Sequence, residues 1–270
     1  MEGVKSVMTQ ISTEQQAYLR HLKKHRMIVQ FFRFFLLLLF LGLWEISSGN
    51  GWIDSFIFSS PSRIFQCFLT MTKDRFIFPH IRITFQETMI SFLLVTFFGI
   101  LLAILLWSSQ KCSEILDPYL VVLNSLPKSA LAPLLIVWLG ATKTTIIVAG
   151  MSVAIFGCIL NLYTAFLSTD PEKIFLIYTL GGTKLQVRTK VVIPSNVGSV
   201  INAMKVNIGL CLVGVIIGEF LAARQGLGYL IIYASQTFKM EWLLTSLCLL
   251  CLMSALLYSL IRLLERRVSR

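Results

Sequence analysis

The chain has 270 residues, 56% of them apolar and only 14% charged, with a mean hydropathy of +0.78 and a formal net charge of +11. A soluble domain runs about 45–50% apolar and about 25% charged, so a water-soluble globule and a disordered chain are both excluded, and a multi-pass membrane protein with its charges in loops remains. The excess of Lys and Arg reads as topological; no basic patch interleaved with stacking aromatics points to nucleic acid.

In chain order, residues 1–27 come first and carry Lys5, Arg20, Lys23, Lys24 and Arg26 ahead of any apolar run. This segment is too long and too polar for a secretory n-region, so no cleaved signal is expected. Glu14 to Met27 reads either as a basic amphipathic helix on the inner membrane face or as a solvated tail. A membrane-crossing helix needs about 20 mostly apolar residues. Six stretches qualify: 28–46, 88–107, 119–139, 145–166, 197–221 and 242–260. The fold class expected is therefore all-α, a transmembrane domain over 28–267 followed by a tail, 268–270. With the N-terminus inside, the inner segments hold 14 Lys and Arg and the outer ones 7, which by the positive-inside rule puts both termini in the cytoplasm.

No chemistry of catalysis is legible. Cys248 and Cys251 form a C-x-x-C, but in an apolar stretch without His or carboxylates, so they read as small apolar side chains. His21, His25 and His80 make no metal-ligand spacing. No P-loop, G-x-S-x-G or H-E-x-x-H is present. No metal, cofactor or catalytic residue is expected.

The inner segment 167–195 has its own helical grammar. Asp170-Pro171 reads as an N-cap followed by proline at the first helical position, and Glu172 complements the helix dipole. Ile174, Ile177 and Tyr178 share one face, with Phe175 broadening it. Gly181 and Gly182 end this helix. Thr183 and Gln186 form a capping box for a second helix that carries Lys184, Arg188 and Lys190 and stops at Pro194. An exposed apolar face there would want a partner groove; packing on the chain's own spans is the equal alternative.

Polar residues inside spans are costly and informative. Lys128 follows Pro127 in the third span; Pro127 and Pro133 bend or interrupt that helix, and freed carbonyls tend to line a cavity. Lys128 then either helps an anion through or is satisfied by those carbonyls. Glu219, near the end of the fifth span, is a gate or pathway residue, or an interfacial carboxylate paired with Arg224. Asn124, Asn161 and Asn207 are pathway or interhelical contacts. Gly209, Gly214 and Gly218 form a small-residue packing face, within one subunit or between two.

Leu180-Gly181-Gly182-Thr183 followed by Val191, Ile193 and Pro194 resembles the permease signature of bacterial ABC importers, with Phe175 where that signature has its acidic residue. Leu43-Trp44-Glu45, Ser60-Pro61-Ser62, Leu116-Asp117-Pro118, Leu126-Pro127-Lys128, Trp138-Leu139-Gly140, Gly218-Glu219-Phe220, Gln225-Gly226-Leu227-Gly228-Tyr229 and Leu264-Glu265-Arg266-Arg267 extend the resemblance over roughly residues 40–267. It is similar to the nitrate/sulfonate/taurine branch. The resemblance implies a type I, MetI-like fold with a cytoplasmic coupling helix in a bacterial cell membrane. It implies a permease homodimer, separate ATP-binding subunits that grip Glu172, Tyr178, Leu180, Gly181, Gly182, Thr183, Val191 and Pro194, and an external solute-binding protein that delivers the substrate. The chain itself would hydrolyse nothing. An ion-gradient-driven secondary transporter is the alternative class, and a vitamin or pyrimidine precursor the alternative substrate.

Overall fold

A computed structural model describes residues 13–268, without the side chains of 13–20, 23, 26 and 268. Residues 14–27 are helical, but most of the side chains on which their amphipathic reading rests, and residues 269–270 of the tail, lie outside the described residues. The described residues are helical and contain no strand. The chain divides into two units, 1–64 and 65–270.

In the first unit, α1 (Thr13–Gly49) holds an apolar stretch, Met27–Gly49, long enough to cross a bilayer. Phe31, Phe34, Leu37 and Phe40 are exposed around it, as suits a helix whose solvent is lipid rather than water. Asp54 caps the short α2 (Ser55–Phe58) by accepting from the Phe56 N–H at 2.8 Å. Glu45, at the end of α1, accepts from the Ser62 N–H at 3.0 Å and the Ser62 hydroxyl at 2.7 Å. The carboxylate thus serves the first turn of α3 (Pro61–Lys73), where free N–H groups favour an anion.

The second unit is built on three long helices. These are α4 (Ile77–Ser108), α7 (Lys143–Leu167) and α11 (Val197–Ala222), with α13 (Met240–Val268) alongside. Each is long and apolar enough to span a membrane. They pack through small residues. A Cβ on Gly214 would stand 2.8 Å from Ala149 O and Gly150 Cα of α7, and one on Gly218 would stand 3.0 Å from Ile146 Cα. Gly150 sits as tightly against Ser91 and Val215, and Gly99 against Cys158. Without a hydrophobic driving force between helices in lipid, this close backbone approach supplies the packing contacts. Gly209, expected on the same face, has nothing within 4 Å of a Cβ, so it makes no such contact within this chain.

The third span is interrupted at Pro127, as expected, but it begins earlier than residue 119 and bends sharply: it is a broken pair, α5 (Gln110–Ser125) and α6 (Lys128–Leu139), bent by 97°. The cause is local. Leu126 is extended (φ −62°, ψ 140°), as a residue before proline must be, and Pro127 takes the N-cap of α6. Pro133 lies inside α6 without ending it. Five helices are span-length by themselves, six if the bent pair counts as one. The structure also adds α2, α3 and α12 (Leu227–Gln236) in segments that read as loops.

Candidate functional site

Between α7 and α11 the chain forms α8 (Pro171–Thr179), α9 (Lys184–Val187), a π-helical stretch Arg188–Val192 and α10 (Ile193–Ser195). Asp170 caps α8, accepting from the Glu172 N–H at 3.0 Å, with Pro171 at the first position. The helix ends in a Schellman motif: the Gly182 N–H donates to Ile177 O at 2.9 Å and the Gly181 N–H to Tyr178 O at 3.0 Å. The two glycines serve different needs. Gly181 holds φ +76° with open space around a Cβ, so only its backbone conformation asks for glycine. A Cβ on Gly182 would stand 2.4 Å from Ile177 Cγ2. The capping box is present: the Gln186 N–H donates to Thr183 Oγ1 at 3.4 Å and the Thr183 N–H to Gln186 Oε1 at 2.8 Å. The second helix runs on through Pro194 by widening into the π-helical stretch. Proline has no N–H and crowds the carbonyl four residues back, and a π-turn just before it relieves that clash.

The apolar face divides in two. Ile174 and Ile177 turn inward onto the core of the spans. Phe175, Leu176, Tyr178 and Leu180 face outward, with Leu180 74% and Phe175 72% exposed. Leu185 of α9 is exposed as well. Glu172, Gly181, Thr183 and Pro194 are also exposed. Val191 is not: it is buried with Val187 and Val192, so it anchors the segment to its own spans and offers no contact to an outside groove.

The segment is fastened at both ends. Asn196 Nδ2 donates to Thr169 Oγ1 at 2.8 Å and to Val192 O at 2.9 Å, closing the excursion where it leaves α7 and enters α11. Lys184 Nζ donates to Ser108 O at the C-terminal end of α4, where a cation complements the helix dipole.

The polar residues in the spans separate into two groups. Asn124 Oδ1 lies 3.4 Å from where a Cβ on Gly157 of α7 would stand. Asn161 is one turn further along that helix and exposed. Lys128 Nζ donates to Asn124 O, so the lysine has a carbonyl partner within its own broken span. Asn207 is buried beside Cys158 and is an interhelical contact. Lys205, also within a span, pairs with Glu265 at 2.7 Å.

Glu219 is neither an open pathway group nor a partner of Arg224. It is 1% exposed. Its carboxylate accepts from the Thr84 hydroxyl at 2.6 Å and from the Gly228 N–H at 2.6 Å, and among the described residues it makes no salt bridge. The Leu227 N–H donates to Thr84 Oγ1 at 2.8 Å and the Gly226 N–H to His80 Nδ1 at 3.0 Å. The first turn of α12 is thereby held by α4 and α11. The Gly226 and Gly228 positions follow from this: a Cβ on either would fall within 2.4–2.8 Å of the Glu219 carboxylate group. Glu87, also buried, adjoins Glu219. Sequence reading missed Thr84 and Glu87; the available signal was two polar residues three apart at the head of an apolar helix.

With this geometry in place, comparison with known proteins is direct. The family model described as binding-protein-dependent transport system inner membrane component matches residues 95–270. The formylaminopyrimidine transport permease protein ThiX of Halalkalibacterium halodurans is 29% identical over 73% of this chain and 77% of its own length. The taurine transport system permease protein TauC of Escherichia coli is 22% identical over 85% of each chain. An inward-facing structure of the MetNI methionine ABC transporter superposes with a TM-score of 0.63 at 19% identity, covering 71% of this chain and 95% of that one, which shows the MetI-like fold.

Proposed function

Because the chain belongs to the family of binding-protein-dependent transport system inner membrane components, we propose that it is the pathway-forming permease of an ATP-driven importer in a bacterial cell membrane. Both termini are cytoplasmic, and α8 docks in a groove of a separate ATP-binding subunit. The observation that carries the docking is the outward apolar face Phe175, Leu176, Tyr178 and Leu180 on a helix that begins and ends in polar caps. At the water-facing end of a membrane protein, exposed aromatic and leucine side chains on a rigid element are an interface awaiting its partner.

The fastenings supply the mechanics. A push on α8 passes through the Schellman turn to α9, through Lys184 to the end of α4, and through Asn196 and Thr169 to α7 and α11. Closure of an ATPase dimer then moves packed spans as a body and opens the pathway to alternating sides. The chain supplies no hydrolytic group; ATP is consumed on the partner. Two copies form the pathway, with Asn124, Pro127, Lys128, Pro133 and Asn161 on its wall, and a solute-binding protein delivers a small sulfonate-, taurine- or nitrate-like anion. The similarity to ThiX favours a pyrimidine or vitamin precursor as the second reading.

Gly181→Val tests the docking. A Cβ there meets no neighbour, so the protein is expected to stay inserted while the altered turn misaligns α8. The expected outcome is loss of ATP-dependent uptake by the reconstituted importer. Uptake and ATP turnover that both survive would refute the docking.

A further inference from the structure

The head of α4 carries a polar face that a membrane-spanning helix does not need. Arg82 and Gln86 lie one turn apart on it, with Phe78 a turn earlier. Arg75 stands in the turn from α3, and Lys143 is the first residue of α7. These residues line a cavity of about 750 Å³ and all are exposed. Among the described residues, none of the three cations has a carboxylate within salt-bridge distance. Asp74, the chain neighbour of Arg75, is exposed and makes no salt bridge among the described residues; Glu87 is buried and lines a smaller adjoining cavity of about 270 Å³, together with Lys143 and Arg224. Arg75 adopts a left-handed backbone, φ 56°, a conformation that residues with a Cβ rarely take. Glycine or asparagine would fill that turn more easily, yet the chain places a guanidinium at the rim of the cavity.

Position gives the cavity its meaning. Lys143 and the coupling segment lie at opposite ends of α7, 25 residues and hence about 37 Å apart. With the coupling segment in the cytoplasm, the cavity opens on the outer face. In a chain oriented by excess positive charge inside, an outer cluster of three cations with no salt bridge among the described residues runs against the trend. Its volume falls within the range of small-molecule sites. Two guanidinium forks and an ammonium ion match the oxygens of an oxyanion, and concave walls focus their field.

We propose that this cavity is an outer vestibule that receives a small organic anion with a sulfonate- or carboxylate-type headgroup. Arg82, Lys143 and Arg75 supply the charge and Gln86 a neutral donor. The inference rests on the importer reading and deepens it. It moves the first contact with the anion from Lys128, whose ammonium is already bonded to Asn124 O, to the head of α4.

The test uses the full chain in membranes, with the non-buried cysteines Cys112, Cys248 and Cys251 replaced by serine and Phe78→Cys, which lines the cavity without a polar group, as reporter. Its thiol is titrated with a sulfonate-bearing methanethiosulfonate and with the trimethylammonium analogue, each rate normalised to a free thiol in solution. The sulfonate reagent is expected to react about tenfold faster at low salt, and the preference to shrink at high salt. The pair Arg82→Gln and Lys143→Gln abolishes the preference, the pair Arg82→Lys and Lys143→Arg retains it, and millimolar ethanesulfonate slows the reaction. Equal rates for the two reagents, or a preference unchanged by neutralising both cations, would overturn the vestibule. Slowing by a solute-binding protein with none by ethanesulfonate would also overturn it, in favour of a protein-docking face. ATP turnover by the same reporter chain with its ATP-binding subunits separates the two claims. Intact coupling without anion preference removes the vestibule alone, whereas absent coupling removes the importer reading.

Discussion

Gly181-Gly182 and Gly226-Leu227-Gly228 sit at opposite ends of the same helix bundle, each beside a short helix. Their surroundings are opposites. Around Gly181 a Cβ would meet open space, and the neighbouring α8 shows apolar side chains to the outside. Around Gly226 a Cβ would fall 2.4 Å from the Glu219 carboxyl carbon, and the first turn of α12 is wired to α4 and α11 by buried hydrogen bonds. One end has an apolar side left free, which on the proposed function is a handle for the ATP-binding subunit. The other is a locked joint, where every donor of the turn already has a partner. A glycine pair in a permease sequence therefore carries two meanings, and only the neighbouring side chains tell them apart.

The contrast can be broken by substitution. The largest effect is expected from Gly226→Val. It forces a φ of +125° on a branched residue and drives its Cβ into a buried carboxylate, at a combined cost of about 2–5 kcal/mol. Thermal unfolding in detergent should show a collapse of the midpoint or loss of folded protein; a stable variant would show that the joint is not locked. Glu219→Ala follows, leaving the Thr84 hydroxyl and Gly228 N–H without their buried acceptor, at about 2–4 kcal/mol. Glu219→Gln, which keeps one acceptor, should recover part of that loss in the same melt. Gly181→Ala should cost only about 1–2 kcal/mol, from its left-handed backbone alone. Thr183→Ala, which removes one half of the capping box, should cost about 1 kcal/mol. If either change at the handle destabilised the fold as much as Gly226→Val, the distinction between the two ends would fail.

What the sequence revealed and what it hid follow the range of the interactions. The Asp170 cap, the Gly181-Gly182 stop and the Thr183–Gln186 box were legible because each is closed by residues within five positions. The spans were legible from length and apolarity. The role of Glu219 was not, because its partner Thr84 lies 135 residues away, and a lone carboxylate near the end of a span looks the same whether it lines a pathway or caps a helix. The pairing of Lys205 with Glu265 was hidden for the same reason. Pro127 announced a break in the third span, but not a bend of 97°, since proline dictates the missing bond and not where the next helix goes. α12, with 10 residues, is too short to register as a span. On α8, periodicity identified an apolar stripe, but Ile174 and Phe175 are adjacent in sequence and opposite in fate.

The most direct test of the central claim, that α8 is the handle, is site-specific photocrosslinking in the assembled transporter. A benzophenone side chain replaces Leu180, or in a control Phe97, which is exposed on the apolar wall of α4. The account predicts a crosslink from position 180 to the ATP-binding subunit, altered by nucleotide, and none from position 97. An intact, ATP-hydrolysing complex with no crosslink from position 180 would contradict it.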